Sequence, residues 1–339
     1  MIIKQKEITI TELCPDSLAY FSEDSLLFDI ETTGFSSKTA YLYMIGCITN
    51  RNGILSIIQY LAQKKEEEEL VLDAFFSLCK DYKNCITFNG DGFDIPFLCE
   101  KAKKYHQVDL LSILTSLDLY KQIKPLQSIL KLKNLKQKTL EQFMGISRED
   151  QFHGGELISH YFSYERTQDP SEERLLLLHN YEDLLGLVCL LPMLSYLQPF
   201  EDAYDFQEAV RTTSKDYYGK EIENLLISAR LNRAVPKPVS FSTGPYYLIL
   251  NEKHFKLSVR VVDDKIYVPY TDYQNYYYLE KEDMAVLKQL AGYVDKCDRK
   301  PATPATAYGK FLLTEEAMTS KEIFQPYMKQ VMSVLTKGN

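Results

Sequence analysis

The sequence predicts an α/β fold, a sheet of mixed strand order flanked by helices, with a smaller α+β domain following it. Three observations predict it. Apolar runs of strand length come first, at 26–31, 43–49 and 54–61, the last two joined by the turn-forming Asn50-Arg51-Asn52-Gly53. A helical pattern over 67–81 then leads to a short apolar run at 85–88, as when a helix returns the chain from an antiparallel meander to a strand beside the first. Beyond about residue 200 the character changes to strand-like, Tyr-rich segments. The expected organisation is a lead over 1–20, the α/β domain over 21–198 and an accessory domain over 199–339.

Taken in order, the elements have local causes. Lys64-Lys65 and the run Glu66 to Glu69 read as a solvated helix start, acids being favoured at the positive end of the helix dipole. After the 85–88 strand, Asn89-Gly90-Asp91-Gly92-Phe93-Asp94 turns the chain into a helix ending near Tyr105. Gly allows the sharp turn, and Pro96 is tolerated in the first helical turn, where its missing N–H has no partner. Short helices are expected around Leu126, Leu140 and Leu157. A long one spans 171–197, with Leu175, Leu178, Leu185 and Val188 at helical spacing. In the second domain 216–233 reads as helix, Pro236-Lys237-Pro238 as a break, and 246–250, 257–262 and 265–269 as strands, with Asp263-Asp264 a hairpin turn. A helix over 281–294 follows.

Two carboxylates stand on the first strand. Residues i and i+2 of a strand face the same way, so Asp29 and Glu31 project together while Phe28 and Ile30 face packing. Neighbouring anions oppose each other's ionisation, and a divalent cation is the usual remedy. A solvated strand end is the plainer reading. Asp94 lies at a strand-to-helix crossover, where it reads as a site residue or as a helix cap. His179 and Asp183 are four apart on the long helix and share a face. Singly, they also read as a hydrogen-bonded ring and an exposed helix acid.

The order of these pieces resembles the DEDD-type exonuclease branch of the ribonuclease H-like superfamily over roughly 20–197. Its motifs here are Phe28-Asp29-Ile30-Glu31-Thr32-Thr33-Gly34, then Asn89 to Asp94, then the helical Asp183. Gly145-Ile146-Ser147-Arg148-Glu149-Asp150 with Gly154-Gly155-Glu156 is similar to the linker of a bacterial subgroup, the YprB-like group. The resemblance implies a ribonuclease H-like mixed five-stranded sheet flanked by helices. It also implies a 3′ to 5′ exonuclease acting on DNA or RNA, with a single-stranded nucleic acid end as partner. Asp29, Glu31, Asp94 and Asp183 would hold two Mg²⁺ or Mn²⁺ ions, hard cations that take oxygen ligands. Thr32, Thr33, Asn89 and Phe93 would touch substrate. The family's general base is a Tyr four residues before the last Asp or a His five before it. Here His179 stands four before and Leu178 five before. His179 is the expected base, and Tyr181, two before Asp183, points off the helical face. A nucleic-acid-binding or scaffold protein of the same fold with little hydrolytic activity is the alternative.

Composition sets weak bounds. With 45% hydrophobic and 25% charged residues, 339 residues make an ordinary globular chain long enough for two domains. A run of about 18 or more consecutive apolar residues is missing, as is a basic segment followed by an apolar core at the N-terminus, so a cytoplasmic location and no membrane association are expected. Seven Cys without a C-x-x-C pair read as reduced core residues. The net charge of -8 disfavours a polyanion partner on average, but the field near a groove is local. Six Lys and no acid over 121–138, with a lesser group at Lys101, Lys103 and Lys104, suit either a phosphate-tracking surface or solvated helices. The Tyr cluster of the second domain suits base stacking or plain strand packing.

Overall fold

The computed structural model describes residues 1–335 except 151, 153, 216, 217 and 319. It divides into two units, one of Met1–Lys124 with Leu132–Leu194 and one of Pro125–Lys131 with Ser195–Asn339.

The first unit is built on a six-stranded sheet of β1 (Ile2–Ile8), β2 (Ser25–Thr32), β3 (Leu42–Arg51), β4 (Ile54–Leu61), β5 (Asn84–Thr87) and β6 (Thr115–Asp118), in the order β1-β4-β3-β2-β5-β6. The meander β2-β3-β4 is antiparallel, and β5 and β6 run parallel to β2. Asn52 and Gly53 turn β3 into β4 with φ of 54° and 78°, the pair of left-handed residues that a two-residue hairpin needs. The lead, expected to carry no core strand, supplies β1, which pairs antiparallel with β4 and extends the expected five strands at that edge.

Helices cover both faces. On one, α1 (Glu68–Cys79) and α2 (Asp94–Lys104) close a core of Leu26, Phe28, Ile45, Phe75, Phe97 and Leu98. On the other, α5 (Gly154–Thr167) and α6 (Pro170–Leu190) bury Tyr43, Met44, Tyr161, Tyr164 and Leu176. The short α3 (Leu119–Ile123) follows β6, and α4 (Gln137–Met144) packs on α6. Pro170 stands at the first turn of α6, and Asp169 caps it by accepting from Ser171 N. The segment Pro170–Phe200, α6 and the 3-10 turns after it, is long and apolar enough to cross a membrane by composition, but 72% of its most apolar window is buried inside the protein, as in a core helix.

The second unit holds β7 (Tyr204–Lys215), β8 (Glu221–Leu231), β9 (Val239–Thr243), β10 (Tyr246–Asn251), β11 (His254–Val262), β12 (Lys265–Pro269), β13 (Tyr276–Leu279), β14 (Met284–Leu287), β15 (Arg299–Pro301) and β16 (Tyr308–Leu312), with α7 (Glu315–Met318) and α8 (Lys321–Leu335). Two expectations are corrected there. The helix over 216–233, whose first two residues lie outside the described residues, is the strand β8, paired with β7 on one side and β11 on the other. Its buried apolar residues alternate, Leu225, Ile227, Ala229 and Leu231, which is a strand period that two-sided ladder bonding enforces. The helix over 281–294 is a hairpin instead, turning at Asp283 with φ of 50° into β14. Tyr residues are spent largely on packing: Tyr246 and Tyr327 are buried, Tyr270 stacks on Tyr276 at 4.4 Å, and Tyr278 and Tyr308 donate to Asp283.

Candidate active site

Asp29 and Glu31 leave β2 on one side while Phe28 and Ile30 pack into the core. The β2–β3 register shifts between Glu31 and Thr32, a bulge that re-aims the strand just past the second carboxylate. Asp94 opens α2 and is buried. Its Oδ1 accepts from Ile30 N at 3.3 Å, between the two strand acids. From α6, Asn180 Nδ2 donates to Asp29 Oδ2 at 3.2 Å. His179 Nε2 lies 3.1 Å from Asp183 Oδ2 and 3.6 Å from Glu31 Oε1. The expected acids and His179 are therefore brought together from β2, α2 and α6. A cavity of about 280 Å³ opens on them, lined by Asp29, Glu31, Lys136, Lys138, His179 and Asp183.

Burial is the largest influence on the acids. It pushes Asp29 well above the usual carboxylate range, helped by Asp94, Asp183 and Glu31. It lifts Glu31 to about 8 against the pull of His179, and Asp94 to about 7. For His179 burial opposes the charged form, but Asp183, Glu31 and Asp150 outweigh it and raise the imidazole to about 9. At Asp183 burial is again opposed, by His179 and by Arg148, and the carboxyl is held below its ordinary range.

Several residues here were not singled out from the sequence. Arg148 pairs with Asp183 and in bidentate fashion with Glu141. Asp150 Oδ2 stands 2.6 Å from His179 Nδ1. The loop that carries both is fixed to α6 by Glu182, whose carboxylate accepts from Glu149 N and Asp150 N at 2.8 and 2.9 Å. Gly186 lets α4 approach, since a Cβ there would stand 2.1 Å from Glu141 Oε1. The signal for Arg148 and Asp150 was their place in the quoted linker. For Asn180 it was its adjacency to His179.

The residues expected at substrate are placed as follows. Thr32 Oγ1 donates to Gly34 O at 2.9 Å, and Thr33 Oγ1 accepts from Tyr41 N at 2.8 Å, so both hydroxyls shape the loop after β2. Asn89 takes φ of 62° and donates its N–H to Asp118 at 2.8 Å. Phe93 lies edge-on to the exposed Phe35 at 6.0 Å. Tyr181 turns to Glu12 and Lys6, away from the acids, as its spacing implied.

The sequence profile of the RNase_H superfamily matches residues 26–195. The chain belongs to the RNase H superfamily. Within this RNase H domain the matched segment contains Asp29, Glu31, Asp94, His179 and Asp183. Among solved structures, the chain is similar to the family B DNA polymerase from the hyperthermophilic archaeon Pyrobaculum calidifontis, at 18% identity and a TM-score of 0.41, over 52% of this chain and 24% of that one. It is also similar to E. coli exonuclease I in complex with a dA16 oligonucleotide, at 11% identity and a TM-score of 0.30, over 62% of this chain and 55% of that one. The zinc-bound E. coli ExoI–ssDNA complex gives 9% identity and a TM-score of 0.33, over 92% and 73%. The chain thus spans about a quarter of the polymerase and 55% of the dA16-bound exonuclease chain. No curated protein matches the sequence.

The donor set suits a hard divalent cation. Carboxylates dominate it, they are buried or half-buried, and the burial, with the neighbouring negative charge at Asp29 and Glu31, that holds them above the usual carboxylate range is a cost that a cation would relieve. Glu31, His179 and Asp183 each offer a ligand atom, all within 4.8 Å of one another.

Proposed function

We propose that this chain is a metal-dependent nuclease of the DEDD exonuclease branch, in its YprB-like group, that removes nucleotides from the 3′ end of single-stranded DNA or RNA. The observation that carries this reading is the convergence of four carboxylates from three separate elements of an RNase H domain: Asp29, Glu31 and Asp183 line one cavity, and Asp94 stands beside the first two, accepting from Ile30 N between them. These four carboxylates would hold two Mg²⁺ or Mn²⁺ ions, which would supply charge stabilisation for an in-line displacement at phosphorus. The chain's own groups do the rest. Lys136, exposed at the cavity, brings positive charge to a phosphate. Phe93 with exposed Phe35 offers an aromatic face for a terminal base. Asn180 holds Asp29 in place by its amide.

The test is hydrolysis of a 3′- or 5′-labelled single strand by purified protein with Mn²⁺. Stepwise loss from the 3′ end is expected, and Asp29→Asn should abolish it. Hydrolysis undiminished in that variant would overturn the assignment. One observation favours a second reading, a nucleic-acid-binding protein with little turnover: Arg148 already neutralises Asp183 from within the fold. That reading predicts single-strand binding with no metal-dependent product in the same assay.

A further inference from the structure

The family resemblance makes His179 a general base, but its geometry points elsewhere. Four residues before Asp183 on α6, it stacks one turn above that carboxylate on the same face. A histidine five before would be rotated by roughly 100° around the helix. From its position Nε2 lies 3.1 Å from Asp183 Oδ2 and 3.6 Å from Glu31 Oε1. Two ligand atoms about 2.1 Å from one ion stand about 3.0 to 3.6 Å apart for angles of about 90 to 120°. The observed separations are those of donors sharing a coordination shell.

Asp150 fixes which nitrogen is available. Its Oδ2 lies 2.6 Å from Nδ1, and a carboxylate only accepts, so Nδ1 keeps its hydrogen and Nε2, which faces the cavity, is the nitrogen free to exchange its proton for a metal ion. Asp150 is itself buried and accepts from Phe152 N at 3.0 Å, which holds its orientation. This is the carboxylate–histidine arrangement that orients metal-binding imidazoles. Without a metal, a proton on Nε2 bridges to Asp183 and Glu31; when that proton leaves, Nε2, Glu31 Oε1 and Asp183 Oδ2 stand as three donors around one point, where a divalent cation takes the proton's place.

We propose that His179 is a metal ligand through Nε2, sharing one divalent ion with Glu31 and Asp183, and that the site takes a first-row transition ion in preference to Mg²⁺. The inference rests on the reading of the carboxylates as a metal site and changes the role of His179 within it. Mg²⁺ keeps to oxygen donors and water, whereas an imidazole in the shell selects for softer divalent ions.

Mn²⁺ is the probe. In the full-length wild-type protein loaded with one equivalent of Mn²⁺, pulsed electron paramagnetic resonance should show ¹⁴N coupling from a directly bound imidazole, and His179→Gln should remove it. Titration calorimetry should find Mn²⁺ affinity reduced about 10–100-fold in His179→Gln and about tenfold in Asp150→Asn, with a smaller loss for Mg²⁺. Bound Mn²⁺ without nitrogen coupling overturns the proposal, as does a His179→Gln protein that loses turnover at unchanged Mn²⁺ affinity, which would make His179 the base. No Mn²⁺ binding at all overturns the metal reading together with it. Nitrogen coupling in a protein that hydrolyses nothing supports the ligand assignment and overturns only the nuclease. The wild-type spectrum decides even if His179→Gln fails to fold.

Discussion

Asn180 Oδ1 occupies the place where a Cβ on Gly46 would stand, 2.0 Å from that position. Gly46 is paired with Asp29 across β2 and β3, and the amide of Asn180 joins Gln59 Nε2, at 2.9 Å, to Asp29 Oδ2, at 3.2 Å. The missing side chain is what lets α6 lie on the sheet at the level of the first carboxylate. Gly46→Ala must push Asn180 out and so release Asp29 from its hydrogen bond. The expected cost is about 1–3 kcal/mol, the range for overpacking a filled site. A lower urea midpoint at unchanged m value checks it. An unshifted midpoint would mean that the helix moves aside without cost.

Arg148 and Glu141 form a pair in which both side chains are almost fully buried, and Arg148 also engages Asp183. Arg148→Met leaves Glu141 without its cation, and losing one member of a buried pair costs about 3–5 kcal/mol. Glu141→Leu in the same chain should recover most of that loss, because the uncompensated charge is then gone. Denaturant unfolding of both singles and the double completes the cycle. A double variant no more stable than Arg148→Met would show that the arginine acts mainly through Asp183.

The stability of the metal-free protein should fall as pH rises from about 5 to 9. Glu31 near 8, Asp94 near 7 and Asp29 well above its usual range keep protons in the folded state that the unfolded chain releases near 4. The unfolded state thus binds fewer protons through this interval, and stability declines with rising pH. His179 works in the same direction. Raised to about 9, it stabilises the fold fully below its unfolded value of 6.5 and loses that contribution as pH rises through 9. A divalent cation replaces the protons, so the rise in Tm on adding Mn²⁺ to EDTA-treated protein should be larger at pH 8.5 than at pH 5.5. Each kcal/mol is worth about 2–4 °C in a domain of this size. Equal rises at both pH values would mean that the carboxylates are not what the cation relieves.

Much of this site was legible because each piece has a local signature. Asp29 and Glu31 are set by the strand period, His179 and Asp183 by the helix period, and Asp94 by a Gly-containing turn. What was not legible depends on long-range pairing. Arg148 and Asp150 sit in a loop without periodicity and gain meaning only where Glu182 fastens that loop to α6. The same holds for β8: Glu221, Glu223 and Arg230 suit an exposed helix, yet the ladders to β7 and β11 on either side overrule that preference. β1 was missed because five of its seven residues are exposed, so little apolar pattern marks the edge strand.

The lysine run over 121–138 divides by task. Lys121 is tied to Asp91 at 2.7 Å, and Lys138 donates to the carbonyl of Phe152. Lys136 is exposed at the cavity of the acids, so it is the member placed to meet a phosphate. Counterion release sets the scale: each phosphate contact on a single strand contributes about 0.7 to the slope of log K against log salt. Lys136→Ala should therefore weaken single-strand binding and flatten that slope by about 0.7, while Lys121→Ala should leave it unchanged. Fluorescence anisotropy with a labelled oligonucleotide across a salt series reads both, with Ca²⁺ present to load the carboxylates. Equal flattening by the two variants would show that the strand follows the whole basic run; none with Lys136→Ala would place its path off the cavity.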